Sequence, residues 1–524
     1  MPSLTMDTAV LFWPRGGSAQ VIRYLLHELN SRGLTTRLHA GSLGNAGDPS
    51  HAPSFYQDLD LHPYDHNDAM AAFTRGEDPQ RASLPFHPSY EDRGTCPDPL
   101  FSAVPPANAD HLTRAWTRHL TAHRSPSTNL LHLHHLSHLQ TAAHAAYPGV
   151  PRVTTLHGTE LKLIDAMQHR IRLAERTRTS LSQLGHLLHS DNPHRTTEAL
   201  RLAKTAGLDD DEADQLTTTA WHKWTHSTYW LTRLHRTTAH AGRLVVVSDH
   251  DQQLATRLLH LHHAPHVVPN GVDTHTFQHQ HLDQTARLAQ LRHWLVTDPQ
   301  GWAPGGTPGS IRYTENDLRR LHDHHGRLRP LLLWTGRFLD FKRIPILLRA
   351  FAAARTRLDP APVLLMWGGY PGECEGDHPA DQAAELGIEQ DVFFIGWRGH
   401  GQLPTGLNCA DLMVAPAVNE PFGMVYLEAM ACGTPPIATS TGGPARTIIP
   451  TGPHATGWLV NPDDTNHLAD TLTAAILDTT ERRRRGTNGR IHTENTYSWT
   501  RTADHYLDIY GHIQPHQYPA AASG

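Results

Sequence analysis

Short apolar runs alternate with amphipathic stretches along this chain, and the alternation occurs twice. Thr8 to Trp13 reads as a buried strand, closed by Pro14-Arg15-Gly16-Gly17-Ser18. Ala19 to Ser31 has the 3.6-residue spacing of a helix packed on one face, Gly33 stops it, and Thr35 to Ala40 returns to strand. The order strand, glycine turn, helix, strand is a βαβ opening. Further strands are predicted at Leu130–Leu133, Val153–Leu156 and Leu244–Ser248, another that ends in a turn over His266–Asp273, and a helix over Ala109–His123. Two stretches depart from the alternation. Residues 41–106 are rich in Pro, His, Asp and Gly with little periodicity, which predicts an irregular insertion. Residues 161–241 repeat at helical spacing, with Trp221, Trp224 and Trp230 in one segment, which predicts a helical insertion.

The second alternation begins after residues 278–329, where the pattern breaks up and Asp298 to Gly309 is a Pro/Gly loop. Strands are predicted at Leu331–Thr335, Val363–Trp367, Val392–Ile395, Leu412–Ala415 and Pro436–Ala438. Helices are predicted at Ile344–Thr356, Pro379–Leu386, Leu468–Asp478 and Trp499–His512. Strands alternating with helices form doubly wound parallel sheets that bind ligands at the strand C-termini. The fold class is therefore α/β with two Rossmann-like domains. Residues 1–277 form the N-terminal domain, 278–329 a linker or insertion, and 330–498 the C-terminal domain. Residues 499–513 form a terminal helix and 514–524 a disordered tail.

Composition narrows the function classes. A net charge of −6 gives no support for a nucleic-acid partner. The run Arg482-Arg483-Arg484-Arg485 is expected as a solvated last turn of a helix. The 4 cysteines are scattered without a CxxC pair, so neither a disulfide framework nor a zinc site is expected. No apolar run approaches the ~20 residues a membrane span needs. A cytoplasmic protein without a signal peptide is the expectation. The 43 histidines recur along the whole chain where Arg, Glu or Gln would serve, so runs such as His132-Leu133-His134-His135 are read as compositional, not as metal sites.

The candidate chemistry lies in the second half. Asn419 to Gly433 places Glu420 in a loop marked by Pro421 and Gly423, and Glu428 eight positions on, one turn inside a helix that Gly433 would end. The helix start near Gly423 and Met424 offers unpaired N–H groups to a phosphate. Two carboxylates beside it suit the hydroxyls of a sugar and a ribose, so the stretch reads as a nucleotide-sugar pocket. Gly336-Arg337 with Lys342 follows a buried strand; such cations would stabilise a departing diphosphate, and an ordinary surface Arg and Lys is the alternative. His157 ends a strand beside Gly158, either to meet a ligand or as a structural histidine. Gly16-Gly17 lets backbone approach a ligand. Trp397 could edge a nucleobase or pack in the core.

Gly336-Arg337 with Lys342, Glu420 and Glu428, Asn270-Gly271-Val272-Asp273, and His157-Gly158 together resemble the retaining GT-B glycosyltransferases of family 4, which include sucrose-phosphate synthase and bacterial group 1 enzymes. The resemblance is most specific from Leu331 to Trp458 and weaker over 41–106 and 161–241. It implies that the N-terminal domain recognises the acceptor and that the terminal helix crosses back to that domain. It implies roles for Arg337 and Lys342 on the diphosphate, Glu428 on the ribose and Glu420 on the donor-sugar hydroxyls. Phe422, Gly423 and Met424, with Val425 beside them, would line the sugar, and Gly336, Gly16, Gly17 and Trp397 would complete donor binding, Gly17 lying near the acceptor or phosphate. His157 would sit against the sugar. The implied activity is transfer of a hexosyl group from a UDP-glucose-like donor, with GDP- or ADP-sugars as alternatives, to an acceptor of unspecified chemistry. No metal or cofactor is required in this reading, and both partners are small molecules. The competing readings are a nucleotide-sugar 2-epimerase on the same scaffold and a non-catalytic nucleotide-sugar-binding regulator.

Overall fold

The computed structural model describes residues 4–92, 97–372 and 374–513. The tail expected to be disordered from 514 onward lies outside them, as does Cys96. The described residues form two compact units, one within 4–268 and 503–513 and the other within 269–502.

The first unit is built on a seven-stranded parallel sheet, β1 Thr5–Val10, β2 Thr35–Ser42, β3 Leu61–Asp65, β4 Leu130–His134, β5 Arg152–Leu156, β6 Arg243–Val246 and β7 His266–Val267, in the order β3-β2-β1-β4-β5-β6-β7. The register pairs Met6 with Thr36 on one side and with Leu130 on the other. β1 begins earlier than its apolar run suggested. Leu11, Phe12 and Trp13 are buried but belong to the loop after the strand, where the Trp13 ring meets His87 at 4.6 Å. Residues 41–106, expected to be irregular, contain β3 and the helix Asn67–Thr74. β3 is an edge strand, which is where a sheet tolerates a proline such as Pro63. Residues 161–241 are helical, and Leu173, Leu184, Leu202, Leu216 and Trp221 form a core of their own there.

The second unit carries a six-stranded parallel sheet, β8 Leu331–Gly336, β9 Val363–Gly368, β10 Val392–Gly396, β11 Leu412–Ala415, β12 Pro436–Thr439 and β13 Trp458–Val460, ordered β10-β9-β8-β11-β12-β13. Its central strands read LLLWT, VLLMW and LMVA and are buried throughout, as a sheet covered by helices on both faces requires. Residues 278–329 lie within this unit. Trp294 packs edge-on against Trp367, and the Tyr313 hydroxyl accepts from the Phe394 amide at 2.9 Å on the edge strand β10.

The arginine run departs from expectation. It opens the helix Thr479–Thr496 and does not end one. Arg482 donates to Ala475 and Ile476 carbonyls, capping the preceding helix. Arg485 is buried, bonds the Pro450 and Gly457 carbonyls, and lies over the Trp458 ring at 4.3 Å. The helix Trp499–Gly511 starts in the second unit and belongs to the first from Ala503 onward. Among the described residues no helix is long and apolar enough to cross a membrane.

Candidate functional site

In the second sheet the strand order reverses between β8 and β11, the switch point at which doubly wound sheets open a crevice. The loops following those two strands carry the cationic and acidic residues. After β8 the chain passes Gly336, Arg337 and Phe338, makes a tight turn at Asp340–Lys342, and enters the helix Ile344–Arg355. Phe338 is buried and anchors the loop, and its carbonyl accepts from the Glu375 amide at 2.8 Å. The loop after β11 is tied to it, because the Val418 amide donates to the Phe341 carbonyl at 2.8 Å. Across the switch point the Lys342 Nζ meets Glu420 Oε2 at 2.5 Å, with each side chain 15% exposed. Withdrawn from most solvent, such a pair is held more firmly than a surface ion pair. The ammonium has three hydrogens, one of which Glu420 uses.

A third loop closes on Glu420 from β12. The Gly443 amide donates to the Glu420 carbonyl at 2.7 Å. A side chain at Gly442 would place its Cβ 2.5 Å from that carbonyl oxygen, and one at Gly443 would come within 2.3 Å of the Phe422 oxygen. Only glycine permits this backbone-on-backbone approach. Two adjacent glycines, Gly442-Gly443, after a predicted strand are the sequence signal of this third loop.

Gly423, at φ +79, turns the chain into the helix Met424–Ala431, whose open start includes Met424 and Val425. A Cβ at Gly423 would strike the Tyr426 ring at 2.5 Å, and the Tyr426 hydroxyl donates to the Ala415 carbonyl at 2.7 Å, fixing the helix to the end of β11. Phe422 is buried with its edge towards Tyr497. Gly433, at φ +78, ends the helix as expected, with Thr434 N–H reaching back to the Ala429 carbonyl at 2.9 Å. Glu428 is buried on this helix, and His400 Nε2 binds its Oε1 at 2.7 Å. His400 follows β10 and Trp397. Trp397 is 47% exposed, so it is not a core residue.

The remaining candidates lie in the first unit. Gly16 and Gly17 are exposed at the start of the helix Gly16–Ser31, Gly16 at φ +62. His157 follows β5, donates its backbone N–H to Glu160 Oε1 at 3.1 Å, and shares a hydrogen between its Nε2 and His134 Nδ1 at 3.0 Å. Behind it, His132 Nε2 bonds Thr155 Oγ1 at 2.8 Å, Thr155 bonds the Tyr506 hydroxyl at 2.9 Å, and Tyr510 bonds His132 Nδ1 at 2.8 Å. Burial pushes His134 and His157 well below the usual imidazole range and His132 to about 3, so the three rings are neutral at pH 7. His157 is thus one member of a neutral polar cluster. Among the described residues no group of three His, Cys, Asp or Glu side chains is placed to hold a metal ion.

Residues 324–492 match the family model for glycosyl transferases group 1. A D-inositol 3-phosphate glycosyltransferase from Salinispora arenicola is 35% identical over 187 residues, 34% of this chain and 41% of that protein, so the chain spans under half the length of this relative. Across both units the chain resembles the structure of sucrose-phosphate synthase from Thermosynechococcus elongatus, at TM-score 0.58 and 18% identity over 97% of this chain and 98% of that one. It also resembles Anabaena Alr3699/HepE in complex with UDP-glucose, at TM-score 0.54 and 14% identity over 97% and 100%. Residues 324–492 thus resemble the group 1 glycosyl transferases, and the chain has a fold of the GT-B type.

Proposed function

We propose that the protein is a retaining glycosyltransferase that moves a hexosyl group from a nucleoside diphosphate sugar to an acceptor, with UDP-glucose as the favoured donor. The Lys342–Glu420 ion pair at the switch point carries the reading, because it sets a cation and a sugar-binding carboxylate side by side at a helix start. Lys342 and Arg337 would take the charge that develops on the diphosphate. Glu420 would hold hydroxyls of the sugar and Glu428 those of the ribose, with Trp397 against the base. The bond from the anomeric carbon to the phosphate oxygen breaks and the bond to the acceptor forms on the same face. The acceptor's proton passes to the departing phosphate oxygen. The protein contributes position and electrostatics. The UDP-glucose complex of HepE supports the choice of donor.

The test is release of nucleoside diphosphate from UDP-, GDP- and ADP-glucose, with and without candidate acceptors, in buffer containing EDTA. Slow hydrolysis of UDP-glucose, accelerated by an acceptor and indifferent to the chelator, is expected. Tight nucleotide binding with no release from any donor would return the chain to a non-catalytic role.

A further inference from the structure

Glu428 is 5% exposed, and a carboxylate removed from water requires partners. One is His400, whose Nε2 lies 2.7 Å from Oε1. His400 is itself held on two sides. Its ring rests 5.0 Å from that of Phe277, which is fully buried, and its backbone belongs to the turn His400–Gln402 that leads into the helix Leu403–Cys409. The segment before it is equally constrained. Arg398 is buried, with one guanidinium nitrogen 2.9 Å from Asp298 and another 2.8 Å from the Trp294 carbonyl. Gly396, at φ +77, has room for no side chain against the Gln300 carbonyl, 2.1 Å from a notional Cβ. The imidazole therefore approaches Glu428 from a fixed direction, and the bond fixes the rotation of the carboxylate. A carboxylate with one oxygen engaged presents the other in a defined plane, which is the geometry a vicinal diol needs to donate two hydrogen bonds.

We propose that His400 is a positioning residue for the donor nucleotide, orienting Glu428 so that its carboxylate receives the ribose diol. The inference rests on the reading of Glu428 as the ribose-binding group. It concerns an interaction 28 residues apart in the chain that the motif itself does not contain.

Three variants separate orientation from packing. His400→Gln keeps a donor near the Nε2 position, His400→Phe keeps a ring against Phe277 without a donor, and His400→Ala keeps neither. Each is measured for UDP affinity by calorimetry, for KM and kcat with UDP-glucose, and for thermal unfolding. Loss of a hydrogen bond to a charged group should raise Kd and KM about tenfold in the Phe and Ala variants, with kcat within about twofold and Gln close to wild type. Wild-type affinity in the Phe variant, or a Gln variant as weak as Ala, overturns the proposal. The same titrations with 2′-deoxy-UDP test its foundation. The wild type should bind UDP about tenfold more tightly than 2′-deoxy-UDP, and His400→Phe should lose most of that preference. A wild type that does not discriminate defeats the ribose reading of Glu428 and this inference with it. A discriminating wild type whose preference survives in His400→Phe defeats the inference alone.

Discussion

The two sheets share a topology and differ in what they bury. In the second unit the strands around the switch point are apolar, and the polar groups stand on the loops beyond the strand ends. In the first unit polar side chains enter the sheet itself. Asp7 on β1 accepts from Thr128 and Tyr147 hydroxyls at 2.9 and 2.5 Å, and β4 and β5 contribute His132, His134, Thr154 and Thr155, all buried. An apolar sheet is indifferent to protons, whereas a sheet filled with neutral imidazoles is not. The difference separates a unit whose chemistry can vary on fixed loops from one whose stability is coupled to pH.

Acid is the strongest way to break that symmetry. Burial holds His66, His119, His132 and His138 at about 3, and His134 and His157 well below their ordinary value. All six lie in the first unit. For a histidine whose folded value is depressed, the unfolded chain binds the extra proton, so the stabilisation is complete above about pH 6.5 and falls as pH drops below it. A ring that stays neutral in the fold loses about 2 kcal/mol of stability between pH 6.5 and 5. Three such rings would remove about 6 kcal/mol, comparable with the whole stability of a domain. Hydrogen exchange at pH 7.5 and 5, corrected for intrinsic rates, should show β4 and β5 opening while β8 and β9 remain protected. Equal loss in both sheets would contradict the contrast.

The second prediction inverts the first. Lys342→Ala and Glu420→Gln should each lower kcat by about 10²-fold or more, roughly 2.7 kcal/mol at the barrier, in proteins that remain folded at the assay temperature. Near-normal turnover in both variants would place the chemistry elsewhere. The third concerns the second unit's own buried polar group. Arg485→Ala abandons the carbonyls of Pro450 and Gly457 and should destabilise by about 2 kcal/mol, while the exposed Arg483→Ala stays within about 0.5. Comparable small effects at both positions would restore the surface reading of the run.

How legible each unit was follows the same contrast. The strands β8 to β12 are readable because continuous apolar runs bounded by glycine, proline or polar residues admit few other interpretations, and the observed limits differ by a residue or less. In the first unit β3 was missed because Leu61-His62-Pro63-Tyr64-Asp65 lacks that signature, and Tyr64 reveals its burial only by stacking on Trp116 at 4.5 Å. The apolar run predicts β1 too late, because burial alone does not distinguish a strand from the buried loop Leu11–Trp13. The carboxylates and cations of the candidate site stood in a recognisable spacing. Their supports did not. His400 reaches Glu428 from another strand end, and among 43 histidines nothing marked it, although a buried glutamate implied a donor somewhere. The arginine run misleads for the opposite reason. A cluster of like charges reads as solvated, yet guanidinium groups that find carbonyls and a tryptophan face can be buried.

The smallest expected effect tests whether the first unit's polar cluster acts as a network. Tyr510 lies on the final helix with its hydroxyl 2.8 Å from His132 Nδ1, while His132 Nε2 faces Thr155, so the neutral ring donates on one side and accepts on the other. Tyr510→Phe removes one hydroxyl and no ring, so the isolated loss is about 1 kcal/mol for a buried hydrogen bond. Thr155→Val removes the group that bridges His132 and Tyr506. If each bond acts alone, the double variant loses the sum of the two single losses. If the bonds orient one another through the His132 tautomer, the second substitution has less left to disturb, and the double variant should lose about 0.5 kcal/mol or more less than the sum. Urea unfolding of the four proteins at pH 7.5 closes the cycle. Strict additivity would mean that the histidines of the first sheet are satisfied one at a time, and that its sensitivity to acid belongs to single rings.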